Sequence, residues 1–222
     1  MPAEAAPSDT DLDTAAQEDV RALRAQISAA EPDSLRLLLT EARTHYGWQD
    51  RPVTDDQLRR IYDIAKMGPT SMNQQPMRLI FIRSAEAKKR LEPLLMEGNR
   101  PKTMGAPVTA LIGHDMQFYT RLPEVFPANP NAKDMFASNP AMAEANAVRN
   151  GTLQGAWFIL AARAIGLDTG PMSGFDNAGV DKEFFAGSTV KSNFLCNLGY
   201  ADETKIFRRL PRLAFDDVAK II

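Results

Sequence analysis

The chain has 222 residues, 44% of them hydrophobic and 24% charged, a mixture that suits one packed domain with or without a tail. Its 26 basic and 28 acidic side chains leave a formal net charge of −2, which gives no electrostatic reason to expect a nucleic acid partner. A single cysteine, Cys196, rules out an internal disulfide, and with only His45 and His114 beside it a Cys/His metal site has almost no ligands, so no metal is expected.

Residues 1–33 are rich in Ala, Asp and Glu and hold no aromatic side chain, so about the first dozen are expected to be disordered. From Asp13 to Ala29 helix formers dominate, and Val20, Leu23 and Ile27 fall on one face. Pro32 separates this short helix from a domain spanning residues 34–222. The start has neither the basic residues nor the apolar core of a secretory signal, and no apolar run approaches about 18 residues. A cytoplasmic protein with no membrane contact is the expectation.

Thr54-Asp55-Asp56-Gln57 reads as a helix start, with Thr54 as N-cap and Gln57 completing a capping box. Leu58, Ile61, Tyr62 and Ala65 form its apolar face, and Gly68-Pro69 ends it. Arg78 to Arg83 reads as a buried strand. A helix over about 84–95 leads to a second strand, Val108 to Gly113. Residues 114–139 are punctuated by Pro123, Pro127 and Pro130 and show little periodicity, as expected of a long covering loop with short helical turns.

Asn139 and Pro140 open the longest helix, which runs to about Ile165, roughly 39 Å at about 1.5 Å per residue. From Gly151 onward it is apolar nearly all round, as in a helix buried on every side, partly by a second subunit. A third strand is expected near Thr169 and a fourth over Asn193–Tyr200, before a short final helix. Helices mixed with four strands give an α/β sandwich of the α+β type.

Several familiar sites are missing. No G-x-G occurs, so neither the dinucleotide fingerprint nor the phosphate loop is present. Tyr62 and Lys66 match a Y-x-x-x-K pair without its glycine-rich partner, and Ser173-Gly174 lacks the frame of a nucleophile elbow.

Four segments do carry chemistry. Ala42-Arg43-Thr44-His45-Tyr46-Gly47-Trp48 joins a guanidinium to a hydroxyl, donors suited to a phosphate. Gly68-Pro69-Thr70-Ser71-Met72-Asn73-Gln74-Gln75-Pro76 follows a helix end with small polar residues that let backbone approach a planar ring. Asn99-Arg100-Pro101-Lys102 sets a carboxamide, both donor and acceptor, near an ammonium. Gly170-Pro171-Met172-Ser173-Gly174-Phe175 leaves a strand through small residues. Each alone has an ordinary reading as a turn or a surface arginine. Together they say more.

With Arg209-Leu210-Pro211, these segments make residues 35–222 resemble the nitroreductase family, closest to the branch of malonic semialdehyde reductases placed late in a pyrimidine degradation route. The resemblance implies a nitroreductase-like α/β sandwich with a central mixed sheet flanked by helices, in an intertwined homodimer with FMN at the interface. It assigns Arg43, Thr44, Arg209 and Arg212 to the phosphate. Pro69, Thr70, Ser71, Asn73 and Gln75 match the family's P-S-S-x-N-x-Q-P loop on the flavin. Asn99 and Lys102 fall along the pyrimidine edge, where a lysine favours the anionic reduced ring. Pro171, Met172, Ser173 and Gly174 match the loop whose backbone N–H faces flavin N5. Ala42, Tyr46 and Phe207 stand where relatives carry bases, and Ser173 where many carry Glu.

On this resemblance no side chain is a catalytic acid or nucleophile. FMN carries the hydride, and NAD(P)H binds transiently, leaves and is replaced by substrate in a ping-pong order. The expected reaction reduces malonic semialdehyde to 3-hydroxypropanoate, with Arg121, or else Arg100, anchoring the carboxylate. A broad nitro or quinone reductase is the rival within the class. A flavin-binding protein without turnover is the rival outside it.

Overall fold

The computed structural model describes residues 9–222. Of the dozen or so residues expected to be disordered, 1–8 lie outside this range, and 9–12 belong instead to a helix that begins at Asp9, ahead of the expected Asp13, and ends at Gln26. The helices are α1 (Asp9–Gln26), α2 (Pro32–Leu35), α3 (Asp55–Ala65), α4 (Ala85–Leu91) and α5 (Arg100–Met104), followed by α6 (Leu122–Val125), α7 (Ala132–Ala137), α8 (Pro140–Ala164), α9 (Asn177–Phe184) and α10 (Phe215–Val218). The strands are β1 (Met77–Ile82), β2 (Val108–Asp115), β3 (Asp168–Met172) and β4 (Val190–Gly199).

The strands pair in the order β1-β2-β4-β3, and every pairing is antiparallel. The mixed sheet expected from the resemblance is therefore corrected within one chain. The connections explain it: β2 returns beside β1, and β4 inserts between β2 and β3, reversing direction each time. Among the described residues, parallel pairing is confined to an isolated bridge from Thr44, which lies outside the strands, to Thr169 of β3.

Both faces of the sheet are covered, giving the sandwich. On one face α3 and α8 pack Leu58, Ile61, Ala65, Phe158, Ala161 and Ala162 against Val108, Ala110 and Cys196. On the other, Leu91, Val180 and Phe185 close over Ile82, Leu111 and Leu195. Burial sends the Cys196 thiol up to about 12, so it packs as a small hydrophobe and is not a nucleophile. Residues 114–139 do more than cover. Phe118, Leu122, Ala132 and Phe136 form a third cluster with Ala143 and Ala147 of α8, with the Phe118 and Phe136 rings 5.0 Å apart edge to face.

The helix signals act as the sequence predicts. Thr54 accepts from Gln57 N at 3.2 Å while Gln57 Oε1 accepts from Thr54 N at 3.0 Å. Asn139 Oδ1 accepts from Met142 N at 3.1 Å, and α8 stops before Gly166, whose φ is +81°. One reading needs correction. Tyr62, expected on the buried face of α3, is 45% exposed because only Leu58, Ile61 and Ala65 reach the sheet. In the single chain Leu153 and Trp157 in the second half of α8 are 42% and 37% exposed, on a helix expected to be covered partly by a second subunit. Gly151 and Gly155 face the sheet, where an added Cβ would meet His114 at 2.7 Å and Phe194 at 2.5 Å. Their small size brings α8 down onto β2 and β4, not onto a second helix.

Candidate functional site

The sequence-predicted residues fall into three groups. The first gathers at the β3 edge of the sheet. Arg43, Thr44, Arg209 and Arg212, separated by more than 160 residues of chain, line one cavity of about 920 Å³, together with Arg163, Arg208 and Tyr46. The bridge from Thr44 to Thr169 and a hydrogen bond from His45 N to Thr169 O at 3.0 Å lay residues 42–46 along β3. The C-terminal segment then docks on them reciprocally. Arg43 donates to Phe207 O, and Arg209 donates to Ala42 O at 3.2 Å. Arg163 reaches from α8 to Leu38 O at 2.9 Å.

None of these five guanidinia has a carboxylate partner among the described residues. A cavity with five cations and no acid suits an oligoanion such as a phosphate ester. Two of the three positions expected to carry bases in relatives, Tyr46 and Phe207, explain each other here. Tyr46 and Phe207 pack edge to face with ring centres 5.2 Å apart, and Lys102 Nζ stands 4.8 Å over the Tyr46 ring. Two lost charges are exchanged for an aromatic clasp.

The second group continues from there. Trp48 Nε1 donates to Lys102 O at 2.8 Å and Asn197 Nδ2 to the same oxygen at 3.2 Å, which fixes α5 beneath Lys102. Buried Lys88 donates to the carbonyls of Thr103, Met104 and Ala106 at the C-terminal end of that helix. Burial lowers the Lys102 pKa below its usual 10.5. Asn99 Nδ2 donates to Gly174 O at 2.7 Å, so the carboxamide edge and the 171–174 turn are in contact. An added Cβ on Gly174 would lie 2.5 Å from Asn99 Nδ2, a close approach that needs glycine. Ser173 is exposed just past β3, Pro171 is half-buried, and Met172 turns its side chain into the core, leaving its backbone as the part a ligand meets.

The third group, residues 69–75, stands apart. Met72, Asn73 and Gln75 have φ of +51°, +51° and +44°, conformations that cost a non-glycine residue roughly 1–2 kcal/mol each. Their alternation turns Gln74 inward while Ser71 and Asn73 stay exposed. The interior end is held by α8, whose polar stripe Asn146, Asn150 and Gln154 recurs every four residues. Asn150 Oδ1 accepts from Ser71 N at 2.9 Å, Asn150 Nδ2 donates to Gln74 Oε1 at 2.9 Å, and Gln154 Oε1 accepts from Met77 N at 2.9 Å. Pro69 is exposed, Thr70 Oγ1 accepts from Gln75 N, and Asn73 Nδ2 donates to Val125 O at 2.7 Å.

Among the described residues no hydrogen bond, ion pair or ring contact joins this loop to the other two groups. It precedes β1, and β1 and β3 are opposite edges, three strand spacings or roughly 14 Å apart. Arg121 lies nearer the loop, in a small cavity with Gln75 and Arg78, but the Nε and Nη2 edge of its guanidinium is paired with the Glu124 carboxylate at 2.7 Å. Arg100 donates to Leu95 O at 3.2 Å.

A model of the family described as the nitroreductase family matches residues 39–200. The chain belongs to the nitroreductase family. Solved structures share the fold. One, from Exiguobacterium sibiricum 255-15, described as a nitroreductase and crystallised in complex with FMN, is 19% identical with a TM-score of 0.76, over 87% of this chain and 99% of that one. A protein of Staphylococcus epidermidis ATCC 12228 described as an NAD(P)H:FMN oxidoreductase is 17% identical, TM-score 0.73, covering 87% and 98%. A nitroreductase family protein of Streptococcus pneumoniae TIGR4 is 20% identical, TM-score 0.73, covering 83% and 98%.

In this nitroreductase the sequence reading missed Arg163 and Arg208, which only the tertiary fold brings to the cavity. It also missed the support behind the 69–75 loop. A signal was there: carboxamides recur at every fourth position, 146, 150 and 154, along one face of the longest helix.

Proposed function

We propose that this member of the nitroreductase family is an FMN-dependent NAD(P)H oxidoreductase, acting in the cytoplasm as a homodimer with two shared sites. The observation that carries the reading is the cavity in which Arg43, Thr44, Arg209 and Arg212 converge without any acid, continuous through Tyr46 with Lys102, Asn99 and Gly174. The residues fit the cofactor: a five-cation cavity for the phosphate, then an ammonium and a carboxamide for a ring edge carrying both donors and acceptors. FMN, when bound, supplies two-electron chemistry that no side chain here provides. The chain's own groups anchor the phosphate, orient the ring edge and leave one exposed side open to NAD(P)H and acceptor in turn.

The dimer follows from what one chain leaves unfinished. Among the described residues no bond or ring contact joins the 69–75 loop, with its exposed Ser71 and Asn73, to the other two groups, so we infer that a site using all three takes that loop from a second copy. Leu153 and Trp157 of α8 and the C-terminal Leu213, Phe215, Val218 and Ile221 are exposed apolar residues of the sort subunits cover.

For the substrate, our first candidate is malonic semialdehyde, reduced by two electrons and two protons to 3-hydroxypropanoate. The Arg121–Glu124 pair favours the second reading, a broad nitro or quinone reductase, because the carboxylate anchor is already occupied. Anaerobic assays of the purified protein against malonic semialdehyde, a nitroarene and a quinone, with NADH and NADPH separately, decide between them. A kcat/KM for the aldehyde acid well above the other two supports the first reading, and the reverse order supports the second. A yellow protein that neither nucleotide bleaches under nitrogen is a flavin binder without turnover.

A further inference from the structure

The 69–75 loop is strained at three non-glycine residues. Within it Asn73 N donates to Thr70 O and Gln74 N to Ser71 O, both at 3.1 Å, and close one tight turn. Its side-chain bonds, Gln75 N to Thr70 Oγ1 at 3.3 Å and Gln75 Nε2 to Asn73 Oδ1 at 2.9 Å, are half-buried or exposed. Water competes for bonds of that sort. The interior bonds are different. Gln74, Asn150 and Gln154 are each 2–3% exposed, and together they fix the loop at its start, its middle and its end.

The donor and acceptor count at Asn150 is complete. Its carbonyl takes the Ser71 N–H, and its amide gives one hydrogen to Gln74 Oε1 and the other to Asn146 O at 3.0 Å. Gln74 returns its own amide to Asn146 Oδ1 at 3.3 Å. A hydrocarbon at 150 leaves the Ser71 N–H and the Gln74 carbonyl buried without partners, whereas a mobile loop loses nothing by turning both to water. Relaxing toward ordinary φ is then downhill.

We propose that Asn150 is a positioning residue for the flavin ring: through Ser71 N and the Gln74 side chain it keeps the 69–75 loop in its strained shape, with Ser71 and Asn73 turned outward to the ring, without touching the ring itself. The inference rests on the flavin reading above. Asn150 lies near the middle of α8, on the face turned away from solvent. Strain is stored where the ligand binds and is held from an interior helix that the ligand never reaches.

The test compares the flavin-stripped full chain and its Asn150→Ala, Asn150→Asp and Arg43→Ala variants, titrated with FMN and with riboflavin, which has the ring but no phosphate. Loss of Asn150 acts on the ring, so Asn150→Ala weakens FMN and riboflavin alike, by about ten-fold for a buried donor left unpaired. It also shifts the visible band of the bound flavin, and amide exchange at Ser71 quickens in the flavin-free chain. Arg43→Ala weakens FMN and leaves riboflavin unchanged. Asn150→Asp keeps an acceptor for Ser71 N but cannot donate to Asn146 O, so its binding falls between wild type and Asn150→Ala. Should Asn150→Ala fail to fold, the same reading is made with Asn150→Asp against Gln74→Leu.

Wild-type binding and an unshifted flavin band in Asn150→Ala overturn the positioning role while leaving the flavin reading intact. A wild-type chain that takes up neither FMN nor riboflavin overturns both. Unchanged riboflavin affinity in Asn150→Ala with a lowered FMN affinity also overturns the proposal, since the residue would then serve the phosphate end.

Discussion

At the scale of residues, the acid-free cavity makes the sharpest statement. Arg43 and Arg209 each hold a backbone carbonyl of the other's segment, so each has a structural bond to lose as well as a charge. A charge-assisted hydrogen bond to phosphate contributes about 1.5–3 kcal/mol, and Arg43→Ala or Arg209→Ala should weaken FMN by roughly ten- to a hundred-fold. Isothermal titration of the purified variants reads it, with affinities equal to wild type in both disproving the phosphate site. Much of this was legible in the sequence: Arg43-Thr44 and Arg209-Leu210-Pro211 stood out before any fold was known. What could not be read was their company. Arg163 sits amid apolar residues on α8, and only the packing of that helix beside residues 38–43 turns it toward the cavity. Nor could the sequence show that Tyr46 and Phe207, each apparently a lost charge, meet as a pair.

At the scale of elements, local signals with a physical mechanism gave the right structure, and signals that depend on what lies opposite did not. The capping box at Thr54 and the Asn139-Pro140 start concern only neighbouring residues, and both helices begin there. β4 begins at Val190, three residues before the expected Asn193, because Val190 and Lys191 pair with Asp115 and His114, contacts no local pattern reports. Nor does any local pattern report what Gly155 meets: Phe194 and Ile112 of its own sheet. Gly155→Leu gains about 1 kcal/mol of helix propensity but overpacks a contact that leaves no room for a Cβ, at about 1–3 kcal/mol or more. Packing wins, and thermal melting should fall by several degrees, about 2–4 °C per kcal/mol for a chain of this size. A melting temperature equal to wild type would mean that α8 can lift from the sheet without penalty. The oligomeric state of the folded fraction should not change, which separates this site from an interface.

At the scale of the whole molecule, the sheet ends in an edge strand. Among the described residues no strand pairs with the outer side of β1, and a cavity of about 640 Å³ is lined by Leu58, Arg59 and Tyr62 of α3 and Phe81 of β1. Bare apolar edges invite pairing, and the C-terminal residues 213–222 extend away from the core with Phe215, Val218 and Ile221 exposed. We expect the two features to meet between subunits, with α8 of each chain against the other through Leu153 and Trp157. The distinguishing variant is Leu153→Glu. Leu153 is 42% exposed in one chain, so a carboxylate there leaves the single fold nearly undisturbed. In an interface the same charge is desolvated without a partner, a penalty of several kcal/mol counted once per subunit. Sedimentation at assay concentration should therefore give twice the chain mass for wild type and a large shift to the single mass for Leu153→Glu, with circular dichroism unchanged. Because the 69–75 loop and the cation-lined cavity lie on opposite edges of one sheet, the dissociated variant should also lose most of its ring-dependent flavin affinity. A fully flavinated monomer would show that one chain completes the site alone and would remove the reason for a dimer.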